Sequence, residues 1–144
     1  MLSVSTKGRY AVRVMVRLAL SDPEKPVQKV ELSEREGISS DYLEQILLKL
    51  KAGGFVQSRR GPGGGFSLAR DADAVTVMEI LRATEGEIRL AECHGAACRR
   101  ERNCATKPMW ERVAAKLDEA LSCETIGAMA RVAGAAKKVV SFEI

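Results

Sequence analysis

Apolar positions recur along this chain first at helical and then at strand spacing. Ala11, Val14, Met15 and Leu18 fall on one face of a segment that Ser5 can cap and that runs to about Leu20. Ser21-Asp22-Pro23 ends it, and the stretch to Pro26 reads as a loop. Lys29–Glu36 is about two helical turns long, and Gly37 stands where helices close in a left-handed residue. A third helix starts at Ser39-Ser40-Asp41 and carries Leu43, Ile46, Leu47 and Leu50 at three- and four-residue spacing to about Ala52. Two helices joined by a short turn containing glycine predict a helix-turn-helix. Gly53-Gly54 then breaks the pattern. Residues 55–58 and 66–68 have strand character around Arg59-Arg60-Gly61-Pro62-Gly63-Gly64-Gly65, which predicts a hairpin with a long glycine-rich tip. Together these elements predict a winged helix-turn-helix.

Residues 75–83 predict a further short helix, whereas 90–106 show no helical period. From Pro108, suited to a helix start, Trp110, Val113, Leu117, Ala120 and Leu121 recur in a narrow stripe of coiled-coil type. That stripe predicts a long helix packed on a second copy of itself. Residues 125–132 predict a last short helix, and the chain from Ala133 has little pattern. The fold class expected is therefore mainly α. Residues 1–72 form a winged helix-turn-helix DNA-binding domain with a small β-hairpin wing. Residues 73–144 hold a sensor loop (about 90–106) and a dimerisation helix.

Composition supports this picture. Of 144 residues, 46% are hydrophobic and 29% charged, a globular balance that excludes disorder. Only 4% are aromatic, so the core is aliphatic, which favours helices over a β-sandwich. The net charge of +4 is unevenly spread. Residues 1–70 hold 12 basic and 7 acidic side chains, and residues 71–144 hold 11 and 12. The positive half is the one with the helix-turn-helix and wing, where a polyanion would bind. The most apolar stretch, 10–20, is short and interrupted by Arg13 and Arg17, so neither a membrane span nor a signal peptide is expected, and the expected location is cytoplasmic.

The helix from Ser39 is the candidate DNA reader. Ser39, Ser40, Tyr42, Glu44 and Gln45 stand in its N-terminal part, the part that faces base edges in a major groove. Gln45 suits adenine and Glu44 suits the amino group of cytosine, while Asp41 and Glu44 are also spaced to cap the helix reciprocally. Arg59 and Arg60 precede glycines that let backbone approach phosphate closely, and Lys7 in the first helix belongs to the same DNA-contacting set. The glycine run is not a nucleotide loop, since no Gly-Lys-Ser/Thr opens a helix after it.

In a reducing compartment, cysteines read as metal ligands or redox thiols. Cys93, Cys98 and Cys104 lie within a dozen residues, beside Arg99, Arg100 and Arg102, which favour thiolates. Three such thiols suit an iron–sulfur centre better than zinc, whose ligands usually come in closer pairs; thiol oxidation is the alternative. Candidates for a fourth ligand are His94, Lys107, Glu92, Glu101, or a residue from a partner chain. Cys123 reads as a helix-end bystander.

Over roughly residues 2–132 the chain resembles the IscR/NsrR (Rrf-type) family of bacterial transcription regulators. The resemblance is carried by Ser5-Thr6-Lys7-Gly8-Arg9-Tyr10-Ala11, Gly37-Ile38-Ser39 with Tyr42-Leu43-Glu44-Gln45, Arg60-Gly61-Pro62-Gly63-Gly64-Gly65-Phe66, and the three-cysteine loop followed by Trp110. It implies a homodimeric winged-helix repressor or activator on a near-palindromic double-stranded operator. It also implies a [2Fe–2S] or [4Fe–4S] cluster, the former slightly ahead, on Cys93, Cys98 and Cys104. Ser39, Glu44 and Gln45 match the family's recognition helix and Arg60 its wing arginine. Two departures stand out. The Cys93–Cys98 spacing is one residue shorter than is usual in the IscR branch, and Lys107 occupies that branch's histidine position. The overall expectation is a non-enzymatic, cluster-sensing DNA-binding regulator. The alternatives are the same regulator sensing by thiol oxidation or partner binding, and a small iron–sulfur carrier.

Overall fold

A computed structural model describes residues 4–91, 98 and 103–140 of the chain, with side chains to residue 136. The helices are α1 (Thr6–Ala19), α2 (Lys29–Glu36), α3 (Ser40–Ala52), α4 (Val77–Glu85), α5 (Lys107–Cys123) and α6 (Ile126–Val140). Strands β1 (Val56–Arg59) and β2 (Gly65–Leu68) pair antiparallel, Val56 opposite Leu68 and Arg59 opposite Gly65. A single 3-10 turn (Ala72–Ala74) follows the wing. The mainly α, winged helix-turn-helix expectation holds.

Local chemistry sets most boundaries. Ser5 caps α1 by accepting from the Gly8 amide at 3.1 Å. Gly37, at φ 64°, ends α2 in the left-handed conformation that glycine adopts without strain. Its neighbour Ile38 returns its amide to the Ser33 carbonyl, and Ser33 Oγ donates to the Ile38 carbonyl at 2.6 Å, so the turn between α2 and α3 is closed by backbone and side chain together. The reciprocal Asp41–Glu44 cap of α3 does not form: Ser39 is the N-cap without a side-chain bond, and the Glu44 carboxylate turns to Lys29 instead.

The core joins α1, α2, α3, the wing root, α4 and α6 around one aliphatic cluster. Met15, Leu32, Leu43, Ile46, Leu50, Ile80 and Ile126 are fully buried in it. Helix α1 lies at its centre, packed on α3, α4 and α6. The wing is held at its base, where Val27 and Phe66 exchange two backbone hydrogen bonds of 2.8 Å. Gly65 permits this approach: at φ 151° it is in a glycine region, and a Cβ there would collide with the Val27 carbonyl oxygen.

Two elements differ from expectation. The fourth helix starts at Val77 rather than 75, because Val75 and Thr76 pair with the segment before α6. The Val77 amide donates to the Glu124 carbonyl at 2.8 Å and the Ile126 amide to that of Val75 at 2.9 Å. Thr76 is the N-cap, in a full capping box with Glu79. The last helix does not stop at 132 but runs on to Val140. Its second half is rich in alanine and lysine, strong helix formers that leave little apolar periodicity to read.

Candidate nucleic-acid interface and thiol site

The helix-turn-helix is locked by an ionic junction. Glu36, the last residue of α2, is buried and accepts from Arg17 Nε at 2.6 Å and Arg13 Nε at 3.2 Å, both on α1. Arg13 also donates to the Glu36 carbonyl at 2.6 Å and lies 5.2 Å from the Tyr10 ring centroid. Tyr10 in turn meets Tyr42 of α3 edge-on, with centroids 6.0 Å apart. A chain of contacts thus runs from the α2–α3 turn through α1 to the start of the reader helix. Arg13, Arg17 and Glu36 escaped the sequence reading; the signal was two arginines one turn apart interrupting the apolar face of α1.

Around α3 the expected DNA-facing residues are exposed. Ser39, Ser40, Glu44 and Gln45 face outward, and Tyr42 is half-buried by its ring contact. Glu44 is salt-bridged to Lys29 at 2.8 Å; that hydrogen bond and the ammonium charge hold its carboxyl below its ordinary value. Arg59 and Arg60 are exposed at the wing, where Arg59 donates to the Gly63 carbonyl at 3.3 Å across the tip. Lys51 of α3 donates to Ser58 of β1 at 2.6 Å, tying reader to wing. Lys7 is half-buried in the first turn of α1, in a shallow depression shared with Tyr42 and Glu85. Beside it, Ser5 Oγ donates to Glu85 Oε1 at 2.9 Å, linking the end of α4 to the first turn of α1.

The cysteine loop leaves α4 just there. Cys93 and His94 lie outside the described residues, as do Glu92 and Glu101. Cys98 and Cys104 are half-buried and not in disulfides; Cys104 Sγ is 3.2 Å from Thr106 Oγ1 at the start of α5. Among the described residues, no three His, Cys, Asp or Glu side chains converge on a metal site. Lys107 opens α5 and pairs with Glu111 at 3.8 Å. Cys123 is exposed at the far end of α5, as expected of a helix-end residue.

Helix α5 buries none of its residues within the protomer. Trp110 is 40% and Val113 45% exposed, with Leu117 and Leu121 half-covered, so the predicted stripe is left open along one helix. On its inner side, residues 87–91 and Trp110 line a cleft of about 280 Å³. The Arg82–Asp118 ion pair fastens α4 to the same helix. Among the described residues, no helix is long and apolar enough to cross a membrane.

A buried helix-turn-helix whose second helix turns a polar face outward and a basic glycine-rich wing define a winged-helix DNA-binding regulator. Residues 4–131 match the model of the Rrf2 family, described as iron-dependent transcriptional regulators, and the chain belongs to that family. It is 37% identical over 127 residues to the HTH-type transcriptional regulator IscR of Vibrio atlanticus, spanning 88% of this chain and 73% of the relative. Among solved structures it is similar to CymR (YrzC), the global cysteine regulator of B. subtilis, with a TM-score of 0.78 and 32% identity over 92% of this chain and 98% of that one. The IscR of T. potens gives a TM-score of 0.75 and 36% identity over 92% and 88% of the two chains. The chain is a DNA-binding transcriptional regulator.

Proposed function

We propose that this regulator is a homodimeric repressor on a near-palindromic operator, and that an iron–sulfur cluster held by Cys93, Cys98 and Cys104 sets its DNA affinity. The observation that carries this reading is where the thiol loop is anchored. It starts from α4, which packs on both α1 and α3, and ends at α5, whose apolar stripe is only partly covered within the protomer. Thiolates are soft donors suited to iron–sulfur groups, and Cys98 and Cys104 are half-buried, the latter beside the start of α5. When bound, the cluster supplies a group whose gain, loss or oxidation changes the loop's charge and its fixed points.

The chain's own residues do the rest. Ser39, Ser40, Tyr42, Glu44 and Gln45 face base edges and phosphates, while Arg59, Arg60 and Lys7 neutralise phosphates beside them. Trp110, Val113, Leu117 and Leu121 bury against the partner's α5 and fix the spacing of the two reader helices. A loop rearrangement that repositions α5 shifts the population of DNA-competent dimers, and a coupling of about 1–3 kcal/mol suffices for regulation. The test is anaerobic purification with iron and sulfide analysis, visible spectra and operator binding. Cluster absorbance should vanish in Cys104→Ala, with a change in operator affinity; unchanged affinity in air and under nitrogen refutes the proposal.

A second reading keeps the DNA binding and replaces the cluster with thiol oxidation. Its support is the half-buried, undisulfided Cys98 and Cys104 and the likeness to a regulator named for cysteine. Colourless, iron-free protein whose operator affinity responds to peroxide favours it.

A further inference from the structure

The Lys29–Glu44 ion pair bridges α2 and α3 but has little to do with holding the fold. Lys29 is the first residue of α2 and Glu44 the fifth of α3, fifteen residues on, with their side chains 35% and 57% exposed. Pairs this exposed add little to stability. What the contact fixes is direction and charge. Lys29 Nζ takes Glu44 Oε2 at 2.8 Å, and among the described residues Oε1 has no hydrogen-bond partner. A free carboxylate on a face that meets phosphates would be repelled and would swing toward solvent. Asp41, one turn earlier, makes no ion pair among the described residues, so Glu44 is the acidic group of α3 selectively neutralised.

We propose that Lys29 is a specificity-positioning residue: it neutralises Glu44 and aims its open oxygen, Oε1, at a base edge, so that the carboxylate reads cytosine instead of opposing DNA. The inference rests on α3 being the reader helix, as proposed above. Cytosine follows from chemistry, because a carboxylate only accepts hydrogen bonds: the cytosine amino group is the donor of a G·C pair's major-groove edge, whereas adenine's amino donor adjoins the N7 acceptor, which repels a carboxylate. Lys29 holds the side chain without touching the base. The Glu44 carboxyl, kept below its ordinary value by the same lysine, stays ionised and acceptor-only near neutral pH.

The test is a double-mutant cycle on the full chain. A duplex library with a randomised core is selected with the wild-type protein, and the winning duplex and its single-base variants are titrated by fluorescence anisotropy. E44A should relax the preference for cytosine at one position per half-site. K29M should weaken the selected duplex about tenfold and blur that same position, yet cost less than about twofold in the E44A background. Thermal melts of K29M should match wild type, which separates the effect from misfolding. An equal loss in both backgrounds, with the salt slope reduced by about 0.9 per protomer, makes Lys29 an ordinary phosphate contact and overturns the proposal. If E44A leaves base preference untouched, Glu44 is not a reader and the proposal falls with that assignment, whatever K29M does.

Discussion

Replacing Glu36 by alanine should loosen the whole helix-turn-helix, and the structure sets the size of the effect. Glu36's side chain is 6% exposed and serves two arginines, of which Arg17 is 20% and Arg13 48% exposed. Hydrogen bonds to charged groups contribute about 1.5–3 kcal/mol each when shielded. The Arg17 bond, 2.6 Å and largely covered, deserves about 1.5–2 kcal/mol of that. The Arg13 bond is half in water and is discounted to about 0.5 kcal/mol. The Arg13 bond to the Glu36 carbonyl survives the substitution, because its acceptor is backbone. The expected loss is therefore about 2–2.5 kcal/mol, or roughly 8 °C in melting temperature for a chain of this size. Urea unfolding at fixed protein concentration measures it, with Arg17→Met and the double variant completing a cycle. A loss under about 0.5 kcal/mol, or additive single losses, refutes the view of Glu36 as the ionic keystone.

Thr76→Ala should cost about 1 kcal/mol through loss of the α4 cap. Glu79 is held below its ordinary carboxyl value chiefly by the Thr76 backbone amide, and by Arg70. Its contribution is complete above the unfolded-state value and lost as pH falls through the lowered folded one, so stability should be flat near neutrality and decline in acid. That acid decline should persist in Thr76→Ala, since the amide remains; carboxyl NMR titration of Glu79 checks it. Val113→Glu places a charge in the open stripe of α5 and should weaken dimerisation by about thirtyfold or more, measured by sedimentation equilibrium. Unaltered association would move the interface off that helix.

The legible parts of the fold were those governed by neighbours in sequence. Ser5, Gly37 and the glycines around the wing announced their boundaries because caps and turns depend on a few adjacent residues. Where partners are distant, the signal failed. Val75 and Thr76 are drawn out of α4 by a segment fifty residues later, although Thr76-x-x-Glu79 was itself a readable cap. Glu44 had a local partner on paper in Asp41 and took Lys29, because α2 brings an opposite charge within reach. The buried Glu36 junction depends on three residues from two helices, and no short motif encodes it. The polar start of α3, the wing arginines and the α5 stripe were visible as patterns.

The pairing of residues 75–77 with 124–126 has a wider consequence. The chain leaves α4 at Glu85 and comes back beside the start of that same helix, so α6 is latched to α4 by backbone hydrogen bonds whatever course the chain takes between them. Changes in chain length between α4 and α5 need not be transmitted to Ile80 or Ile126, which are buried beside the latch. A regulator built this way can vary the segment between α4 and α6 while its helix-turn-helix and wing keep the same shape.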